Sequence, residues 1–290
     1  LLSETNGNPF FVGELLRYLV ETRALYAEGG RWVASAGLLA HGLPVSVHEV
    51  VSRRVAAMGP AAGRVLEVAA VIGREFDVDT LVAAGDANET DVLDVLDAAT
   101  ATRLVVNIAP ERYMFAHALV EHSLYDAVSP TRRARMHRAI AEALESRPDA
   151  DARVAELAVH WAKATTPQDP QKATHYAIAA GARALTQLAP DEAVRWYTQA
   201  LELSSQRSGG SPQERAQILA GLGEAQRDSG LAEYRETLLE ASRLAIEVGA
   251  DDLLVATVLA NTRGFQNNTG SVDRERVEVL QAALNARGAA

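Results

Sequence analysis

The stretch GARALTQLAPDEAVRWYTQAL, residues 181–201, restricts this chain more than any other. It sets small residues at Gly181, Ala193 and Ala200 around one large ring, Tyr197, on segments of helical periodicity. Small residues let two antiparallel helices approach closely, and the tyrosine fills the groove between them. A looser copy runs from Glu214 to about Val248, with Gly223, Leu238 and Ala241 in the same roles and a spacing one residue short. A third, degenerate helix pair is read at Asp252–Thr262 and Asp273–Ala286, and SSQRSGGSP (204–212) is a loop between the first two. Paired helices recurring with a glycine at the same place favour repeats over a generic helical bundle. The Ala-rich helical composition begins at Ser146-Arg147-Pro148-Asp149, so the repeat region is 147–290. Nothing in the chain alternates strand with crossover helix, which excludes a parallel sheet.

Upstream the pattern is different. In NGNPFFVGELLRYLVE, Asn8 is a fair N-cap and Pro9 a good first helical residue, with Phe11, Val12, Leu15, Leu16 and Leu19 on one face. A plain amphipathic helix accounts for that face but not for Gly7-Asn8-Pro9 before it. Gly7 permits close backbone approach, and the ring of Pro9 offers a flat apolar surface on which a base can lie. LYAEGGRWV reads as a hairpin turning at Gly29-Gly30. Gly42-Leu43-Pro44 breaks the chain, and Ser46-Val47-His48-Glu49 is a capping box. Helices follow from Ser46 to about Met58, from Pro60, shortly after Asp77, and over Val92, Leu93, Val95, Leu96 and Ala99. Two strands, LVVNIA and RYMF, flank Pro110-Glu111. Three helices and a two-stranded wing predict a winged-helix-like domain over 46–146, with strands confined to LYAEGGRWV and 104–115.

The chemistry concentrates at RYMFAHALVEHSLYD, residues 112–126. His117 stands where a strand meets a helix, with Leu119, Val120, Leu124, Ala127 and Val128 giving that helix an apolar face. Backbone N–H groups and the dipole favour an anion there, and an imidazole can donate to a phosphate oxygen. The bland alternative is a half-buried histidine that ties down a loop. The would-be recognition helix carries Glu89, Asp91, Asp94 and Asp97, which DNA phosphates repel, so direct DNA binding is not expected. Arg132, Arg133, Arg135, His137 and Arg138 form the one basic run, read as a solvated face opposite Met136, Ile140 and Leu144. A docking surface for an acidic domain is the alternative.

Several chemistries are excluded by residue type. The chain has no cysteine, so thiolate metal sites and cysteine nucleophiles are absent. His117 and His122 are five apart and His117 and Glu121 four, which is not a zinc-hydrolase spacing. Neither of the two lysines, Lys163 and Lys172, follows a glycine, so there is no Walker A loop, and no G-x-S-x-G elbow occurs. No catalysis by this chain alone and no metal site are expected. The net charge of −10 argues against a chain-wide nucleic-acid footprint. No apolar run approaches the ~20 residues of a membrane span and no signal peptide is visible, so a cytoplasmic setting without membrane association is expected.

The ordered series GNPFFVGELLRYLVE, RRVAAMGPAAGRVLEVAAVIGREFDVDTL and YMFAHALVEHSLYDAVSPTRRARMHRAIAEALE, followed by the repeats, resembles the C-terminal portion of STAND-class signalling ATPases. It is most similar to the large ATP-dependent LuxR-type regulators and to ATPase–nucleotide cyclase fusions. The resemblance implies a mainly α chain: the C-terminal helix and hairpin of a truncated ATPase domain over 1–45, a winged helix over 46–146, and an α-α superhelix of tetratricopeptide-like repeats over 147–290. It also implies a missing upstream P-loop domain, and a protein or small-molecule inducer on the repeats. ATP or ADP would be bound in the parent protein, with none held tightly by this portion. Gly7 and Pro9 match the Gly-x-Pro motif that lies against adenine, and His117 matches the histidine that reaches the ADP β-phosphate. The flanking Ala116 and Ala118 stand where that motif has Met and Asp. The competing expectations are a helical-repeat interaction scaffold with no nucleotide role and a DNA-binding winged helix with a helical tail.

Overall fold

The computed structural model describes residues 9–21, 24–28, 31–34, 47–164, 170–206, 210–261 and 272–288. Gly7, Asn8, the Gly29-Gly30 turn, the 42–44 break, Ser46 of the capping box, residues 207–209 and Thr262 lie outside them. The chain is mainly helical, with small antiparallel sheets of two and three strands among the described residues. It divides into two compact units, 1–144 and 145–290.

The first unit opens with α1 (Pro9–Glu21), followed by a hairpin of β1 (Leu25–Glu28) and β2 (Arg31–Ala34). Leu15 and Leu19 of α1 close on Val50 of α2 (Val47–Ala57), with Tyr18, Ala24 and Leu25 packed around them. Leu16, read from the sequence as core-facing, is exposed, because its place beside Leu15 turns it about 100° away. Next come α3 (Pro60–Ile72), β3 (Glu75–Asp77), α4 (Val78–Ala84), α5 (Glu89–Ala101), β4 (Val105–Ala109), β5 (Arg112–Phe115), α6 (Ala118–Ala127) and α7 (Pro130–Glu145). Asp77 caps α4 by accepting from Thr80 N–H at 2.8 Å, and Asn88 caps α5 by accepting from Asp91 N–H at 2.9 Å. Leu93 is exposed for the same reason as Leu16, one position past buried Val92.

One strand departs from the sequence expectation. β3 pairs antiparallel with β5, so β5 is the middle strand in the order β3-β5-β4. Strands are therefore not confined to the two hairpins. Three residues, Glu-Phe-Asp, are too few to display alternation, and the strand exists because β5 supplies its partners. Phe76 points inward from it, 3% exposed, with its ring centroid 5.4 Å from that of Phe115. These rings join Val65, Leu66, Leu81, Leu96 and Leu104 in one core.

The second unit is helical throughout its described residues. A 3-10 turn (Ala150–Arg153) leads to α8 (Val154–Ala164), α9 (Gln171–Thr186), α10 (Pro190–Ser205), α11 (Pro212–Asp228), α12 (Tyr234–Val248), α13 (Asp251–Ala260) and α14 (Arg274–Gly288). Each of these helices packs on the next. Glu145 accepts from Trp161 Nε1 at 3.0 Å and from Lys172 Nζ at 2.8 Å, and that ammonium lies 4.3 Å from the Trp161 ring. Tyr197 of α10 is wedged between Gly181 of α9 and Gly221 of α11. A Cβ on Gly181 would meet its Cε2 at 2.8 Å, and one on Gly221 its Cε1 at 2.5 Å. Gly223 is likewise filled by Leu238 of α12, whose Cγ would lie 2.5 Å from a Cβ. Deeper still, the Ser242 and Thr257 hydroxyls bond to each other at 2.9 Å.

Candidate functional site

His117 follows the middle strand directly. The Ala116 N–H donates to Leu104 O at 3.0 Å, so the chain remains paired to within one residue of it. His117 itself has extended backbone and is the N-cap of α6, its Nδ1 accepting from Leu119 N–H at 3.1 Å. The imidazole is half-buried. This is the loop-tying role, and it fixes the ring: with Nδ1 used as an acceptor, the neutral imidazole carries its proton on Nε2. The side chain therefore fills one of the helix-end donors that an anion would otherwise take.

Pro9 is the exposed first residue of α1, whereas Gly7 lies outside the described residues. Helix α2 is the common neighbour of the helices that begin at Pro9 and just after His117, since it packs on both α1 and α6. Arg53 of α2 strengthens the first of these contacts, donating to Tyr18 Oη at 3.2 Å and pairing with Glu49. That hydrogen bond to Tyr18 is the main reason the guanidinium holds its proton more firmly than usual. The neighbouring Arg54 is 4% exposed and donates to the Thr102 carbonyl at the end of α5. Its role is not readable from the sequence, where the Arg-Arg pair carries no sign that one member is inside.

The basic run on α7 is not one solvated face. His137 is 1% exposed and lies 3.2 Å from the Tyr125 hydroxyl, while Arg133 stacks 4.7 Å over the same ring and pairs with Asp126 at 3.4 Å. The helical period was the available signal, because His137 is three residues before Ile140 and seven before Leu144, both buried. His122, by contrast, is exposed and reaches Asp126 at 3.1 Å, so it shares nothing with His117. Glu89, Asp91, Asp94 and Asp97 are all exposed on α5. No protein-family model matches the chain, and no curated protein or solved structure matches it either.

Proposed function

We propose that the chain is a regulatory portion of an ATP-dependent signalling protein of the STAND class, in which a winged-helix-like first unit senses ADP against ATP and tetratricopeptide-like repeats receive an inducer. The observation that carries this is the fixed imidazole of His117 at the end of a middle strand, its Nδ1 bound to Leu119 N–H. An Nε2–H donor held in this way suits the β-phosphate of ADP. The order helix, strand, helix, helix, hairpin, with strands arranged β3-β5-β4, supports a winged-helix-like module. The glycine-backed Tyr197 and Leu238 support helical repeats.

In the mechanism this implies, ADP lies between an upstream P-loop domain and the first unit. Pro9 packs on the base and His117 donates to the phosphate, which stabilises a closed form. Inducer on the repeats and exchange to ATP shift the population to an open form. The exposed carboxylates of α5 repel the phosphates of duplex DNA, which argues against groove reading by that helix.

Calorimetric titration of ADP into the parent protein tests this. His117→Ala should weaken ADP by roughly 10–100-fold, the worth of one charge-assisted hydrogen bond, and raise basal output. Unchanged ADP affinity, or a parent sequence with no P-loop before Leu1, sinks the reading.

A further inference from the structure

The first unit holds a cavity of about 320 Å³ that the nucleotide reading does not use. Four helices and a turn wall it. Helix α3 gives Ala61, Arg64, Val65 and Val68, spaced to share one face, and α7 gives Arg132, Arg135, Met136 and Ala139 with the same spacing. Leu81 and Ala84 of α4, the 85–87 turn, and Asp91 and Val92 of α5 complete it. Its volume is at the lower end of the range for small-molecule sites, and its floor is aliphatic.

Its lining reverses the charge balance of the chain. The chain carries 38 acidic against 28 basic residues, and Arg53, Arg112 and Arg133 of the same unit each reach a carboxylate. The side chains of Arg64, Arg132 and Arg135 line the cavity without a hydrogen bond or ion pair to any described residue. Two carboxylates, Asp86 and Asp91, line it as well, which leaves the three guanidinia in excess by one charge. Arg64 and Arg132 also border an adjoining groove with Ser52, Glu67 and Leu124, so they stand on the divide between the two hollows.

We propose that this cavity binds a small organic anion with an apolar body, a medium-chain carboxylate in form, its chain on Val65, Val68, Leu81 and Met136 and its carboxylate on the arginines. The forked guanidinium matches a carboxylate, and the three arginines stand solvent-exposed beside the buried Val65, Val68 and Leu81 that would take the apolar body. The site is separate from His117, so its fate does not depend on the nucleotide reading.

Calorimetry on the whole chain tests this with decanoate, 1-decanol and acetate as probes. Decanoate should bind at one saturable site, while the alcohol (body without charge) and acetate (charge without body) bind at least tenfold more weakly. Arg135→Gln should weaken decanoate about tenfold or more, and Ala139→Leu, which fills the cavity, should abolish it. Both variants should keep the parent's helical circular dichroism, and Arg243→Gln in the second unit should change nothing. Equal binding of decanoate and decanol would reduce the cavity to an apolar hole. No decanoate binding, or an Arg135→Gln variant that binds as the parent does, would overturn the proposal.

Discussion

The ring of Tyr197 lies so close to the bare backbone of Gly221 that a Cβ there would stand 2.5 Å from Cε1 and 2.6 Å from the hydroxyl oxygen. Gly181 backs the opposite edge of the same ring, so the tyrosine has nowhere to retreat.

Replacing Gly221 by alanine sets two effects against each other. Helix propensity favours alanine by about 0.5–1 kcal/mol, but overpacking a fixed ring costs roughly 1–3 kcal/mol or more. The clash should win, lowering the thermal midpoint of the second unit by roughly 5 °C. Gly63→Ala in α3 is the control: its Cβ meets only Val55 Cγ1 at an ordinary 3.8 Å, so propensity alone should act and stabilise the first unit slightly. Calorimetric melts of both variants check the pair, and a stabilised Gly221→Ala would refute the wedge.

His117 should separate capping from sensing. His117→Ala should cost about 1 kcal/mol of stability through the lost cap, whereas His117→Asn, itself a good N-cap, should retain most of it. Urea titration reads that difference. In the parent protein both variants should lose ADP affinity, since neither offers an imidazole N–H.

Acid should act through Asp273. Its bidentate pairing with Arg235, at 2.7 and 2.8 Å, holds its carboxyl well below the usual carboxylate range. A depressed folded-state value means that the stabilisation is present above the unfolded value of about 3.9 and is lost as pH falls below it. Melts from pH 5 to 2 should therefore show a steep acid limb, made shallower by Arg235→Gln. Asp149, held at about 2 by Arg153 and Arg147, leaves part of the limb in place. An unchanged limb would show that the Arg235–Asp273 pair contributes nothing in solution.

Alkali should act through the wedge. Burial pushes the Tyr197 phenol up to about 12, with Glu224 adding to the effect. A raised value makes the stabilisation complete below the unfolded value of about 10, and it is lost as pH climbs from there through 12. Tyr197→Phe should flatten stability measured between pH 10 and 12. Tyr176, pushed to about 12 by burial and Glu145, supplies the remaining slope. A variant as alkali-sensitive as the parent would place the titration elsewhere.

What the sequence displayed was whatever local periodicity governs. Val65, Leu66, Val68 and Ala69 announce α3, and Gly181 with Tyr197 announces a close helix pair, because each pattern is complete within a short stretch. Gly221 was missed because its partner ring is 24 residues away and nothing local marks it. β3 was missed because a three-residue strand is defined by its neighbour. At the candidate site, the strand-to-helix position of His117 was readable, but not that its Nδ1 would be taken by Leu119. Arg64, Arg132 and Arg135 come together only through folding, from helices some 70 residues apart in the chain.

The position of β5 has a mechanical meaning. A strand held on both sides cannot slide without breaking two ladders at once, and here the pairing continues through Ala116 to the residue before His117. The imidazole is therefore an anchored post rather than a swinging arm. In any two-state switch built on it, the travel belongs to the other body, and the distance signalled is how far that body has left the post.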